Sequence, residues 1–243
     1  MSVKDLPDNY PWLPNDARYP MGDMGEAAVR MWSPVVFDRR GSVAWMDDFS
    51  RGLSGWVSGS SGLGSGVKIV TDYAFRGGYD ALLTCGTTAA KTAYLAKYFV
   101  HSDQEKIGLE VGLAFLTVFD YAILSLSRTS NLIETIGRIK LDYTNAVVQY
   151  EDSAENYQTI CSFNPLISDL GAFSIFKFVV DFSTGAYTRL MHNDVVYDLS
   201  DYDMFSDDVV NLDQFVMDLT VWGSALGNRK VQVSHAIITA GEN

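Results

Sequence analysis

The sequence predicts an all-β protein: an antiparallel sandwich of two sheets over residues 43–243, preceded by an extended arm over 1–42. Three observations predict it. From residue 43 onward, short apolar or alternating runs recur, separated by Gly, Asn, Asp and Ser. Helical periodicity is missing from the same region. Five of the six prolines, Pro7, Pro11, Pro14, Pro20 and Pro34, fall within the first 34 residues, and only Pro165 lies beyond them. Proline removes a backbone donor and blocks helix interiors and central strands, so the first region is extended and distinct from the rest.

The arm is not a disordered tail by composition. Tyr10, Trp12, Leu13, Tyr19, Met21, Met24, Met31, Trp32 and Phe37 give it more large apolar side chains than a solvated segment carries. A short helix is expected over Gly22–Met31, capped by Asp23. Its charges nearly balance, which separates it from basic arms that bind nucleic acid. An extended segment this apolar needs a surface, on its own body or on a neighbour. Tyr10, Trp12, Leu13, Tyr19, Met24 and Trp32 are its candidate contact residues.

Strands are expected in order at Val43–Phe49, Val67–Thr71, Tyr79–Cys85, Ala93–Val100, Ile107–Leu116, Tyr121–Arg128 and Leu132–Tyr143. They continue at Val147–Tyr150, Ala172–Phe182, Tyr187–His192, Val195–Leu199, Phe215–Trp222 and Lys230–Thr239. Period-two alternation places Phe176, Phe178, Val180 and Phe182 on one face. Ser183-Thr184-Gly185 and His192-Asn193-Asp194 sit at hairpin spacing between strand-like runs. The Ser/Gly patch from Ser58 to Gly66 reads as a flexible loop.

Composition narrows function. Hydrophobic residues make up 47% of the 243-residue chain, enough to form a core and to exclude bulk disorder. A formal net charge of −12 repels phosphate backbones and anionic lipid, so nucleic acid and membrane are not expected partners. No apolar h-region marks the start and no stretch of 18 apolar residues occurs, so neither a secretory signal nor a membrane span is expected. The two cysteines, Cys85 and Cys161, form no disulfide framework or zinc spacing. Free thiols are the plainer expectation, with one bridge as the alternative.

Two segments carry a family resemblance. Trp45-Met46-Asp47-Asp48-Phe49 through Gly52-Leu53 to Trp56, followed by a Gly/Ser loop and Asp72 to Leu82, resembles the opening of concanavalin A-like and laminin G-like jelly-roll domains. Phe176 to Val195, a strand, tight turn and second strand leading to a short Asn-Asp turn, is similar to a hairpin pair of those domains. The resemblance spans residues 45–239 and implies a jelly roll, a fold that hosts many roles. Independently of it, Phe49 and Trp56 flank a Gly/Ser-rich turn and are expected to anchor a strand end to the core.

Candidate chemistry is sparse. Jelly-roll glycosidases of similar fold place Glu-x-Asp-x-(x)-Glu along one strand face; here Glu110 and Glu134 each stand without a second carboxylate nearby in their strands. His101, His192 and His235 belong to no nucleophile or zinc motif. Nine aspartates run from Asp181 to Asp218 with Arg189 the only cation among them. Within them Asp198, Asp201 and Asp203 offer oxygen ligands at short spacing, so a structural calcium ion is the candidate cofactor; the plainer expectation is a solvated acidic loop and no cofactor. Asp47 and Asp48 are a second candidate, because similar modules hold calcium near that opening. Tyr143, Tyr150, Tyr187 and Tyr197, with Asn145, Tyr157 and Tyr202 nearby in sequence, are candidates for a glycan platform; core and interface positions are the plainer expectation for them.

No catalytic residue is assigned. The expected function is a non-catalytic structural or assembly protein that resembles virion accessory proteins of tailed bacteriophages in its organisation. It would bind other copies of itself or a capsid or tail protein through the arm, and would reside in the virion. The alternative is a carbohydrate-binding module reading a glycan through surface tyrosines.

Overall fold

The computed structural model describes residues 40–71, 78–87, 91–99, 104–165, 167, 172–210, 213–223 and 229–242. The six arm residues singled out above, the Gly22–Met31 segment and His101 lie outside the described residues. The described chain is all-β, built as two antiparallel eight-stranded sheets facing each other.

In sheet A the order is β13 (Val195–Asp198), β12 (Ala186–His192), β11 (Phe173–Asp181), β6 (Lys106–Phe115), β16 (Lys230–Ala240), β4 (Asp80–Thr84) and β3 (Gly66–Val70). β1 (Ser42–Asp47) shares an edge of β16 with β4: β4 pairs with Lys230–Val233 and β1 with Ala236–Ala240. In sheet B the order is β10 (Tyr157–Ser162), β9 (Val147–Glu151), β8 (Ile133–Asp142), β7 (Tyr121–Ser130), β15 (Gln214–Gly223), β5 (Lys91–Phe99) and β2 (Val57–Ser60). β14 (Phe205–Asp208) shares an edge of β8 with β9, taking Ile133–Ile136 while β9 takes Ile139–Asp142.

The core lies between the sheets and follows from alternation. Leu109 and Val111 of β6 sit opposite Phe178 and Phe176 of β11, and Leu124 and Leu126 of β7 sit opposite Leu219 and Met217 of β15. Phe176, Phe178, Val180 and Phe182 all join the core, on one side as the period-two pattern requires. One end is filled by Phe115 stacked on Phe119 at 4.9 Å, with Phe163 edge-on at 5.5 Å. At the other end Phe49 is buried and stacked 5.4 Å from Trp56, the anchoring role its turn suggested. Both hairpins form, with Gly185 at φ 72° and Asn193 at φ 52° supplying the left-handed turn residue.

Three strands correct the reading of the sequence. Val57–Ser60 is β2, paired with Ala93–Ala96, so the Ser/Gly patch is strand at its start. Tyr157–Ser162 is β10, and Phe205–Asp208, inside the acidic run, is β14. Both thiols are free. Cys85 is buried and donates to the Val221 carbonyl at 3.2 Å, and burial pushes its pKa up to about 11.

Candidate functional site

Alternation in sheet B decides which side chains leave the core. In β7, Ala122, Leu124 and Leu126 are core residues, so Tyr121, Ile123 and Ser125 point outward. In β15, Met217, Leu219 and Val221 face inward, so Asp218, Thr220 and Trp222 point outward. In β8, Ile139 and Leu141 face inward, leaving Arg138 and Lys140 outside. Register aligns these sets: Tyr121 stands between Trp222 and Asp142, and Ser125 between Asp218 and Arg138.

The result is a continuous aromatic and charged band. The half-buried rings of Tyr121 and Trp222 stack at 5.5 Å with 24° between their planes. Lys140 Nζ lies 4.8 Å from the Tyr121 ring centre and 5.0 Å from that of Tyr157, a cation held between two π faces. The same ammonium pairs with Asp142 at 2.7 Å. Beside it, the Arg138 guanidinium pairs with Glu151. Asn145 donates to Asp142 through its backbone N–H at 2.9 Å and its side-chain amide at 3.0 Å.

Electrostatics differ across the band. Burial works against the Asp142 carboxylate, but the bonds from Lys140 and Asn145 outweigh it and hold its pKa below the ordinary value. Burial, then the charges of Asp120 and Asp142, push the Tyr121 phenol up; burial and then Glu151 raise that of Tyr157. Asp218 goes the other way from Asp142. Burial pushes it up to about 6, only partly offset by the Thr220 hydroxyl at 2.8 Å and the more distant Arg138 charge.

Tyr187 supports this band from beneath. β9 and β14 leave a gap on the β8 edge at Gly137 and Arg138, so the Arg138 N–H has no strand partner on that edge. The Tyr187 hydroxyl crosses the core from sheet A, accepts that N–H at 2.9 Å and donates to the Glu151 carbonyl at 2.9 Å. Gly137 makes room: a Cβ there would stand 2.8 Å from Val180 and 2.9 Å from the Met204 sulfur, both core atoms.

The tyrosines named from sequence are therefore not one platform. Tyr150 and Tyr187 are buried in the core, ring against ring at 5.6 Å, which corrects their reading as glycan contacts. Tyr143 is half-buried against Phe119, and Tyr197 is half-buried beside Cys161. Tyr202 is exposed and lies against Tyr150 at 4.5 Å. Tyr157 alone of that group joins the band. Tyr121, Trp222, Arg138, Lys140 and Glu151 were not singled out. Their signal was present: each stands at a position that alternates with core side chains of its own strand.

Among the described residues, no three His, Cys, Asp or Glu side chains gather as a metal site. Asp198 instead caps its own turn, its Oδ1 accepting from the Ser200 N–H at 3.0 Å and hydroxyl at 2.7 Å. Asp201 and Asp203 are exposed. Asp47 accepts from the Phe49 N–H at 2.7 Å and the Trp56 indole at 3.0 Å, and Asp48 accepts from the Ser50 N–H at 3.0 Å. These carboxylates order the turn that opens the sandwich.

His192 stacks flat on Phe176 at 4.5 Å, and burial lowers its pKa. His235 meets a serine that its sequence context did not flag. Ser234 Oγ lies 2.8 Å from His235 Nδ1, and Glu110 Oε1 lies 3.6 Å from Nε2. The three are buried, and a Cβ on the adjacent Gly112 would stand 2.3 Å from Ser234 Oγ, so no reacting group fits there. The trio is a polar contact within sheet A.

No family model matches the sequence, and no curated protein matches it. Solved structures do. The cellulose-induced protein Cip1 matches at TM-score 0.55 and 14% identity, over 80% of this chain and 96% of that one. The potassium-bound carbohydrate recognition domain of Emp46p matches at 0.51 and 13%, over 81% and 94%. Peanut lectin matches at 0.50 and 11%, over 81% and 96%. A carbohydrate esterase from the Shiga toxin-encoding bacteriophage phi24B reaches the same TM-score at 11%, over 83% and 100%, so the fold serves binders and enzymes alike. At these identities the likeness is one of architecture, and with two facing antiparallel sheets the chain has the concanavalin A-like jelly-roll fold that its Trp45–Trp56 and Phe176–Val195 segments resemble.

Proposed function

We propose that this protein is a non-catalytic carbohydrate-binding module whose binding surface is the outer face of sheet B. The observation that carries the reading is the half-buried Tyr121–Trp222 stack, flanked on one sheet face by Lys140, Asp142, Arg138 and Glu151. Flat rings take the apolar faces of a sugar, and neighbouring carboxylate and amide groups take its hydroxyls. The band does not favour paired-carboxylate hydrolysis. Glu151 on β9 and Asp218 on β15 are three strand positions apart, about 14 Å between backbones, whereas such chemistry works at about 5–10 Å.

The test is a glycan array probed with the full chain, followed by titration of the best hit. Trp222→Ala is expected to weaken binding at least tenfold, while Trp222→Phe retains most of it. An empty array, or a hit indifferent to Trp222→Ala in a protein that keeps its β-sheet circular dichroism, sinks the reading. The assembly role in a virion rests on arm residues outside the described part, and a measurement of oligomeric state across concentration bears on it directly.

A further inference from the structure

Alternation also decides what the outer face of sheet A presents at its β3 edge. Ala81 and Leu83 of β4 are core residues, so Leu82 and Thr84 point outward. By the same rule Gly66 and Lys68 of β3 point outward beside Val67 and Ile69, and Lys230 of β16 points outward beside Val231. Register sets them in two rows across the strands. Gly66, Thr84 and Lys230 form one row, and Lys68, Leu82 and Gln232 the next. Over these rows lies a cavity of about 300 Å³, lined by both lysines, Leu82, Thr84 and the 64–67 segment. That is room for a small molecule.

The cavity is cationic, and its polar groups are available. The two exposed lysines stand at opposite corners, two strands and two residues apart. About 12 Å separates their backbones, a gap that two long side chains can close from both ends. No carboxylate lines the cavity. Among the described residues neither ammonium meets a carboxylate, and the Thr84 hydroxyl has no hydrogen-bond partner. Asp80, the outward carboxylate two residues before Leu82, is engaged by the Gln232 amide, which donates to it at 2.8 Å. Ser65 is turned away, its hydroxyl donating to the Gly62 carbonyl at 2.7 Å. Gly66 leaves its end open, since a Cβ there would meet nothing within 4 Å. Sheet B is different: its Lys140 and Arg138 each hold a carboxylate. In a chain with 30 acidic side chains against 18 basic ones, two lysines share this cavity without a counter-ion. They repel each other, and an anion between them removes that repulsion.

We infer that this cavity is a binding site for a small molecule bearing an oxyanion, its carboxylate, sulfate or phosphate held by Lys68, Lys230 and the Thr84 hydroxyl. The body of the ligand lies over Leu82 and Gly66. A lysine ammonium acts as a point charge and takes any of these groups. Leu82 and the aliphatic stems of the two lysines supply the apolar contact. The site is independent of the glycan reading, because it lies on the other sheet and shares no residue with the Tyr121–Trp222 band.

Nitrogen–proton correlation NMR of the full chain tests this, with sodium sulfate, sodium phosphate and sodium butyrate titrated separately at constant ionic strength. Expected are saturable shifts of the Gly66, Lys68, Thr84 and Lys230 amides with at least one anion, and the order of the three affinities identifies the group preferred. Lys68→Gln and Lys230→Gln are each expected to weaken that binding about tenfold. Arg51→Gln removes the same charge from an exposed turn elsewhere and is expected to leave it unchanged. Both lysines are exposed, so their variants are expected to keep the wild-type spectrum away from the cavity. Shifts that rise in proportion to every anion without saturating, or that persist unchanged in both lysine variants, mean an adventitious ion only and overturn the inference.

Discussion

Tyr187 is the residue whose role departs most from its expected one. Its ring belongs to the core, yet its hydroxyl completes the hydrogen bonding of β8 at the gap between two edge strands. Tyr187→Phe keeps the ring and strands the Arg138 N–H, so a loss of about 1–3 kcal/mol is expected, readable in urea unfolding. Asp218 yields a pH prediction. Its folded pKa, about 6, lies above the ordinary aspartate value of 3.8, so the folded state holds the proton more tightly than the unfolded chain. That contribution is whole below pH 3.8 and is lost as pH rises through about 6. Asp218→Asn should therefore match wild type in thermal stability near pH 4 and exceed it by up to about 3 kcal/mol near pH 7. A difference independent of pH would refute the assignment. Asp142 has the opposite sign, its stabilisation present above 3.8 and lost on acidification.

Elements show where sequence is legible and where it is not. β15 and β7 were readable because apolar side chains fill every second position and the intervening ones are polar or aromatic. β14 was not, since Phe205-Ser206-Asp207-Asp208 has no strand preference of its own and takes its form from the free edge of Ile133–Ile136. β2 is similar: Gly59 is needed because the Tyr94 ring lies where a Cβ would stand, at 2.6 Å. The site was harder still. Tyr121, Trp222, Lys140, Tyr157 and Glu151 come from five strands, and no local pattern says which strands adjoin. The turn after β1 shows how a motif's chemistry can be absorbed by the backbone. Both Asp47 oxygens accept protein donors, so Asp47→Ala is expected to cost about 1–3 kcal/mol. EDTA should leave the melting temperature of the wild-type protein unchanged. A fall on chelation would restore a metal to this turn or to Asp198.

For the whole molecule, the two layers are fastened by more than apolar contact, with Tyr187 reaching from one sheet into the backbone of the other. The outward faces have different characters. One is a half-buried band of rings and cations whose carboxylates, Asp142 and Glu151, are buried; the other includes a buried lysine and arginine sharing one carboxylate. No helix among the described residues is long and apolar enough to cross a membrane. The two-sheet antiparallel sandwich was thus legible from periodicity, whereas the order of strands and the different characters of the two outer faces emerge only once the strands are arranged.

The pairing of β1 with β16 has a mechanical consequence. Ser42 stands opposite Ala240, so the sandwich begins and finishes at one corner, on neighbouring antiparallel strands. Tension applied between those two points loads the ladder at that corner first and peels it bond by bond, as a zipper opens, instead of shearing many bonds together. This jelly roll is built to yield from its own seam, and whatever braces that corner sets the force at which it comes apart.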